Sequence, residues 1–108
     1  MPTVEVTAIN GCPVLNVTQA RQCLGIQSPT TFNADREVFN LQQVHHFTQA
    51  DLVQLFTLRL WLQARPGVNS RESFKRFYRQ PALLKIKFEQ WGIQLDERIQ
   101  HFKESLDS

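Results

Sequence analysis

The sequence predicts a mainly α-helical protein with a small β component, organised as a single domain over residues 1–108. Three observations lead there. From residue 17 onward apolar residues recur at helical spacings, and Ser, Thr, Pro and Gly stand where helices start and stop. β-Branched content around an Asn-Gly turn is confined to the N-terminal stretch. A chain of 108 residues with 42% hydrophobic and 10% aromatic content can bury one core.

Residues 3–9 read as a strand, Asn10-Gly11 as a hairpin turn in which both central residues take positive φ, and residues 13–17 as the returning arm. Such a hairpin is marginal alone and must pack on something. Asn16 or Thr18 caps a helix running through residues 19–24, which Gly25 ends in a left-handed turn. Ser28-Pro29 are N-cap and first position of a second helix, Pro29 to about Val38. Residues 39–47 form a short extended connection. Thr48 and Asp51 then open a third helix, with Phe47 and Leu52 placed as a hydrophobic staple. Its apolar residues lie on every side, so it is a buried helix, and it stops before Pro66-Gly67.

Asn69 and Glu72 resemble a capping box for a helix from Ser70 to about Arg79. Residues 82–91 fit a strand by the alternation of Leu84, Ile86 and Phe88 with lysines. They also fit a helix by Pro81, Gly92 and the shared face of Leu84, Phe88 and Trp91, and the helix is preferred. Leu95, Ile99, Phe102 and Leu106 form a narrow apolar seam on a last helix. It suits one partner helix, within the chain or, as preferred, across a homodimer.

Charge is unevenly placed. Residues 59–87 carry eight lysines and arginines against Glu72 alone, a local charge of +7, while residues 1–58 carry −2 and residues 88–108 carry −3. Such a cluster is what a polyanion binder needs, and equally what a solvated helix face presents. Phe74, Phe77 and Tyr78 share one face beside it, as core or as a stacking platform for single strands.

Enzymatic function is not expected: no glycine-rich phosphate loop and no spaced nucleophile–base pair is present. No metal is expected at His45, His46, His101, Cys12 and Cys23, whose spacings match no ligand set. No apolar run approaches the ~20 residues of a membrane-spanning helix, and no secretory signal is visible. The expected setting is the cytoplasm.

Four segments carry a family resemblance. Val17-Thr18-Gln19-Ala20-Arg21-Gln22-Cys23-Leu24, Gly25-Ile26-Gln27-Ser28-Pro29-Thr30-Thr31-Phe32, His45-His46-Phe47-Thr48 and Asp51-Leu52 are similar to the winged helix-turn-helix of MerR-type and excisionase transcription regulators. Pro66-Gly67-Val68-Asn69-Ser70-Arg71-Glu72 resembles the stretch before that family's next helix. The resemblance covers and implies a winged helix-turn-helix core over 14–79, and the apolar seam makes the C-terminal helices over 81–108 a possible dimerisation segment. It implies sequence-specific binding of double-stranded DNA by a dimeric repressor acting through operator occupancy, with no cofactor.

In that arrangement Thr30, Thr31 and Asn33 meet base edges in the major groove. Ser28, Arg36, His45, Arg65, Arg71, Lys75, Arg76 and Arg79 hold the DNA backbone. Leu95, Ile99, Phe102 and Leu106 form the dimer interface. The competing reading is a non-catalytic adaptor or inhibitor on the same scaffold. Its basic segment meets an acidic protein partner, or pairs internally with tail carboxylates such as Glu97 and Glu104.

Overall fold

The computed structural model describes residues 15–106. The element order is β1 (Leu15–Asn16), α1 (Val17–Leu24), α2 (Pro29–Val38), β2 (His46–Phe47), α3 (Gln49–Ala64), α4 (Arg71–Tyr78), α5 (Pro81–Gln90) and α6 (Leu95–Leu106). The described residues are mainly helical with one small antiparallel sheet, in agreement with the expected class. They fall into two compact units, one up to Leu55 and the other from Phe56 onward, which divide inside α3.

In the first unit, the strand and turn expected over residues 3–11 lie outside the described residues. The end of the expected returning arm is β1, which pairs antiparallel with β2, Leu15 opposite Phe47 and Asn16 opposite His46. Asn16, rather than Thr18, caps α1: its Oδ1 accepts from the Gln19 amide at 2.8 Å while the Asn16 amide donates to Gln19 Oε1 at 3.0 Å. Gly25 ends the helix at φ 71°. The Ile26 amide reaches the Arg21 carbonyl at 2.9 Å and the Gly25 amide that of Gln22 at 3.2 Å, a Schellman closure. Ser28 caps α2 through a 3.3 Å bond from the Thr31 amide, with Pro29 at the first position.

The connection after α2 differs from the extended segment expected. Residues 39–43 turn back on themselves and only His46–Phe47 are extended. The cause is Arg36, whose side chain gathers the connection's carbonyls onto α2. Nε donates to Leu41 O at 3.1 Å, and Nη2 to Gln42 O at 2.8 Å and Val44 O at 2.7 Å. A guanidinium, with five donors in a fixed fork, can tie several carbonyls at once. It lies 5.5 Å from the Phe32 ring centre and 5.6 Å from that of Phe47, within cation–π range of both. Those two rings meet edge-on at 5.7 Å. Asn40 takes up the left-handed turn at φ 58°, a conformation Asn tolerates better than most residues.

α3 opens where expected. Thr48 Oγ1 accepts from the Asp51 amide at 3.2 Å, and the Thr48 amide donates to Asp51 Oδ2 at 3.1 Å. Phe47 and Leu52, on either side of this cap, are both fully buried.

The second unit is organised on Trp61 of α3. Its ring lies 5.2–6.0 Å from those of Phe74, Phe77, Phe88 and Trp91. Burying Trp61 removes ~150–250 Å² from water, which at ~25 cal/mol per Å² contributes about 4–6 kcal/mol. Its Nε1 donates to Ser70 O at 3.2 Å and Ser73 Oγ at 3.1 Å. The cap of α4 is shifted from the expected Asn69–Glu72 pair to Ser70 and Ser73, whose hydroxyls accept reciprocally from each other's amides at 3.1 and 3.0 Å. Asn69 has another task, donating to the Trp61 carbonyl at 2.8 Å in the last turn of α3, where carbonyls lack helical partners.

Residues 81–90 are helical. Pro81 occupies the first turn, Leu84 and Phe88 are buried, and Gly92 closes the end at φ 77°. The seam of α6 packs at least in part against its own chain, the first of the two uses expected for it, where the homodimer had been preferred. Leu95 and Phe102 are each 6% exposed, Ile99 and Leu106 are half-buried, and Phe102 stacks on Phe56 at 4.3 Å and 10°.

Candidate nucleic-acid interface

The solvent face of α2 is set by which residues the core takes. Phe32, Asp35 and Arg36 are buried, so the helical period turns Pro29, Thr30, Asn33 and Glu37 outward. Two of the three residues expected to meet bases, Thr30 and Asn33, are exposed, and Thr31 is half-buried. Ser28 is exposed, with its hydroxyl engaged in the cap.

Asn33 is oriented as well as exposed. Arg36 Nη1 donates to its Oδ1 at 3.2 Å, which fixes the carbonyl end of the amide and leaves the two Nδ2 hydrogens for another acceptor. Arg36 is the clear departure from the expected DNA-backbone set: it is 8% exposed and its donors go to carbonyls. α2 therefore presents no exposed cation. Glu37, on the outward face beside Asn33, was not foreseen in the sequence reading. A carboxylate there accepts hydrogen bonds and repels phosphate. Helical spacing from Asn33 is the signal that could have found it.

Arg21 is a second unforeseen residue. Its Nε donates to Ile26 O at 3.3 Å and its Nη2 to Gln27 O, so it fastens the turn between α1 and α2. It lines an open concavity there together with Gln22 and Gln27. His45, next to β2, is exposed.

In the second unit Arg65, Arg76 and Arg79 are exposed and make no side-chain hydrogen bond or ion pair among the described residues. Arg71 is half-buried and has a partner. Lys75 holds Glu72 at 3.4 Å in an exposed pair of the kind that contributes little. Lys85 Nζ donates to Asp96 Oδ2 at 2.7 Å, and that bond, followed by the charge of Asp96, raises the lysine's pKa above its ordinary 10.5. Lys87 Nζ lies 5.4 Å above the centre of the Phe77 ring. Acidic groups thus engage part of the basic segment and leave Arg65, Arg76 and Arg79 to solvent. Phe74 is fully buried and stacks on Tyr78 at 5.0 Å, while Phe77 and Tyr78 are half-buried, so this face serves the core.

Among the described residues no three His, Cys, Asp or Glu side chains gather where they could hold a metal ion, and no helix is long and apolar enough to cross a membrane. No family model, curated protein or solved structure matches this chain.

Proposed function

We propose that the chain is a sequence-specific DNA-binding regulator in which α2 reads the major groove and the exposed arginines of the second unit hold phosphates. The observation that carries this reading is the outward face of α2. It begins at a capped N-terminus, follows a four-residue connection from α1, and presents Thr30 and Asn33 with the Asn33 amide held in one orientation. A recognition helix meets bases through its N-terminal residues. Asparagine suits adenine, and a threonine methyl suits that of thymine.

Because α2 exposes no cation, it supplies discrimination rather than affinity. Affinity then comes from Arg65, Arg76 and Arg79, with Lys75 secondary because Glu72 already screens it. Repression by occupying a site needs no cofactor. The α6 seam is used at least in part inside the chain.

The test is selection of bound duplexes from a random pool, followed by titration of selected and scrambled duplexes across a salt series. DNA binding predicts enrichment of a motif and a log affinity that falls linearly with log salt. Replacing Arg76 and Arg79 together with alanine should weaken all duplexes alike and flatten the salt slope by about 1.8, two contacts at ~0.9 each. Asn33→Ala should lower preference for the selected motif and leave the slope unchanged. Absence of any retardation at ~50 mM salt, where non-specific binding is strong, defeats the proposal.

A further inference from the structure

Glu37 stands on α2 where helix electrostatics disfavours it. It lies in the last turn, whose unpaired carbonyls repel a carboxylate. Its neighbour Arg36 turns inward to the carbonyls of Leu41, Gln42 and Val44. Glu37 is exposed, and its side chain makes no hydrogen bond or ion pair among the described residues.

Thr30, Asn33 and Glu37 are spaced three and four apart, which sets them within about 60° of one another around the helix. Along the axis they are separated by ~4.5 and ~6 Å. Each offers a different contact. Thr30 carries a methyl beside its hydroxyl. Asn33, with Oδ1 engaged by Arg36 Nη1 at 3.2 Å, offers the two hydrogens of Nδ2. Glu37 offers acceptors only.

A carboxylate on a face without an exposed cation gains nothing from phosphates. Over base edges in the major groove it needs a donor, and two bases carry one there: cytosine at N4 and adenine at N6. Adenine sets N7, an acceptor, beside its amino group, and N7 repels the second carboxylate oxygen. Cytosine presents its amino group with no acceptor of its own on that edge.

Resting on the DNA reading of α2, we propose that Glu37 is a specificity-determining residue that selects cytosine by accepting a hydrogen bond from its N4 amino group. For a helix lying along the groove, ~6 Å is about two base-pair steps of ~3.4 Å. The cytosine therefore lies about two positions from the base that Asn33 meets. On other sequences the same carboxylate finds no donor and is repelled by the flanking phosphates, so Glu37 also lowers affinity for unselected duplexes.

Parallel selections from one random duplex pool, with the wild-type chain and with Glu37→Gln, test this. Glutamine keeps the length and adds a donor, which suits the N6 and N7 pair of adenine. The expected result is two motifs that agree except in one column, cytosine for the wild type and adenine for the variant. That column should lie about two steps from the one that Asn33→Ala relaxes. Against duplexes that differ only there, the wild type should favour cytosine roughly tenfold, within the range of one mismatched pair, and Glu37→Gln should favour adenine. Glu37→Ala should lose discrimination at that column and hold scrambled duplexes more tightly than the wild type does. Circular dichroism should be unaltered in both variants, since the position is exposed. A motif that both substitutions leave unchanged overturns the proposal while the DNA reading stands. A wild-type preference for any base other than cytosine at that column overturns it too. Failure of the wild type to enrich any motif removes the DNA reading itself, and this assignment with it.

Discussion

Replacing Arg36 with alanine should cost the first unit about 3–4 kcal/mol. A hydrogen bond from a charged donor is worth ~1.5–3 kcal/mol net, so three independent ones would total about 5–9 kcal/mol. They are not independent, because one guanidinium makes all of them. Gln42 is exposed and Val44 half-buried, so water can replace part of what their carbonyls lose. The bond to Leu41 O is the buried one, at 3.1 Å, and its loss leaves that carbonyl with the Val44 amide, at 3.1 Å, as its remaining partner. The Phe32 and Phe47 rings also lose the cation between them.

A loss of 3–4 kcal/mol is a large part of the ~5–15 kcal/mol by which a domain is stable. With a urea slope of ~1–3 kcal/mol per molar, the midpoint should fall by roughly 2 M. Arg36→Lys should recover only part of this, since an ammonium cannot reproduce the planar fork. Urea unfolding followed by circular dichroism gives the midpoint, and hydrogen exchange at the Leu41 and Val44 amides reports whether the connection loosens. A loss below ~1 kcal/mol would refute the reasoning, because the carbonyls would then be satisfied without Arg36. The arginine would be free to serve as the phosphate contact its sequence position suggests.

Gly25→Ala should destabilise by ~1–2 kcal/mol in a thermal melt although nothing lies within 4 Å of the added carbon, since φ 71° alone sets the cost, and Gly25→Asn should lose less. Phe102→Ala should cost ~3–5 kcal/mol by removing a buried ring stacked on Phe56; a variant that keeps full stability while changing the oligomeric state would restore the seam as an interface. Cys23 is an exposed residue, yet the packing around its thiol pushes it from the ordinary 9.0 up to about 11, so it should alkylate slowly although it can be reached. At pH 8 only about one thiol in a thousand is then ionised, and the iodoacetamide rate should climb steadily toward pH 11. Because the folded thiol holds its proton longer than the unfolded one, stability is unaffected below pH 9 and declines between about 9 and 11. A fast reaction at pH 8 would show that the thiol is not desolvated.

Helix boundaries were legible because they rest on local chemistry. Ser28-Pro29, Thr48 with Asp51, and Gly25 act within a few residues of themselves, and the structure uses each as expected. Asn69 was misread because its amide serves a carbonyl eight residues back, a partner no local motif announces. Arg36 was misread for a related reason. An arginine in a polar helix looks like a surface cation until the chain beyond it folds back and offers Leu41, Gln42 and Val44 carbonyls within reach. The outward placement of Thr30, Thr31 and Asn33 was expected from the helix-turn-helix resemblance alone, and the burial of Phe32 turns Thr30 and Asn33 to solvent while leaving Thr31 half-buried. The fate of the α6 seam was not legible: its spacing calls for one apolar neighbour, and Phe56 in the same chain meets that need as well as a second molecule would.

The chain's near-ultraviolet chromophores are distributed as unevenly as its charge. Both tryptophans and the single tyrosine belong to the unit from Phe56 onward, and the other unit has phenylalanine as its only aromatic side chain. Indole emission therefore watches one half of the molecule, with Trp61 ringed by other aromatics as an internal sensor of their packing. The half bearing α2 is dark at those wavelengths. A tryptophan placed in that half would report on it against a background that comes entirely from the other.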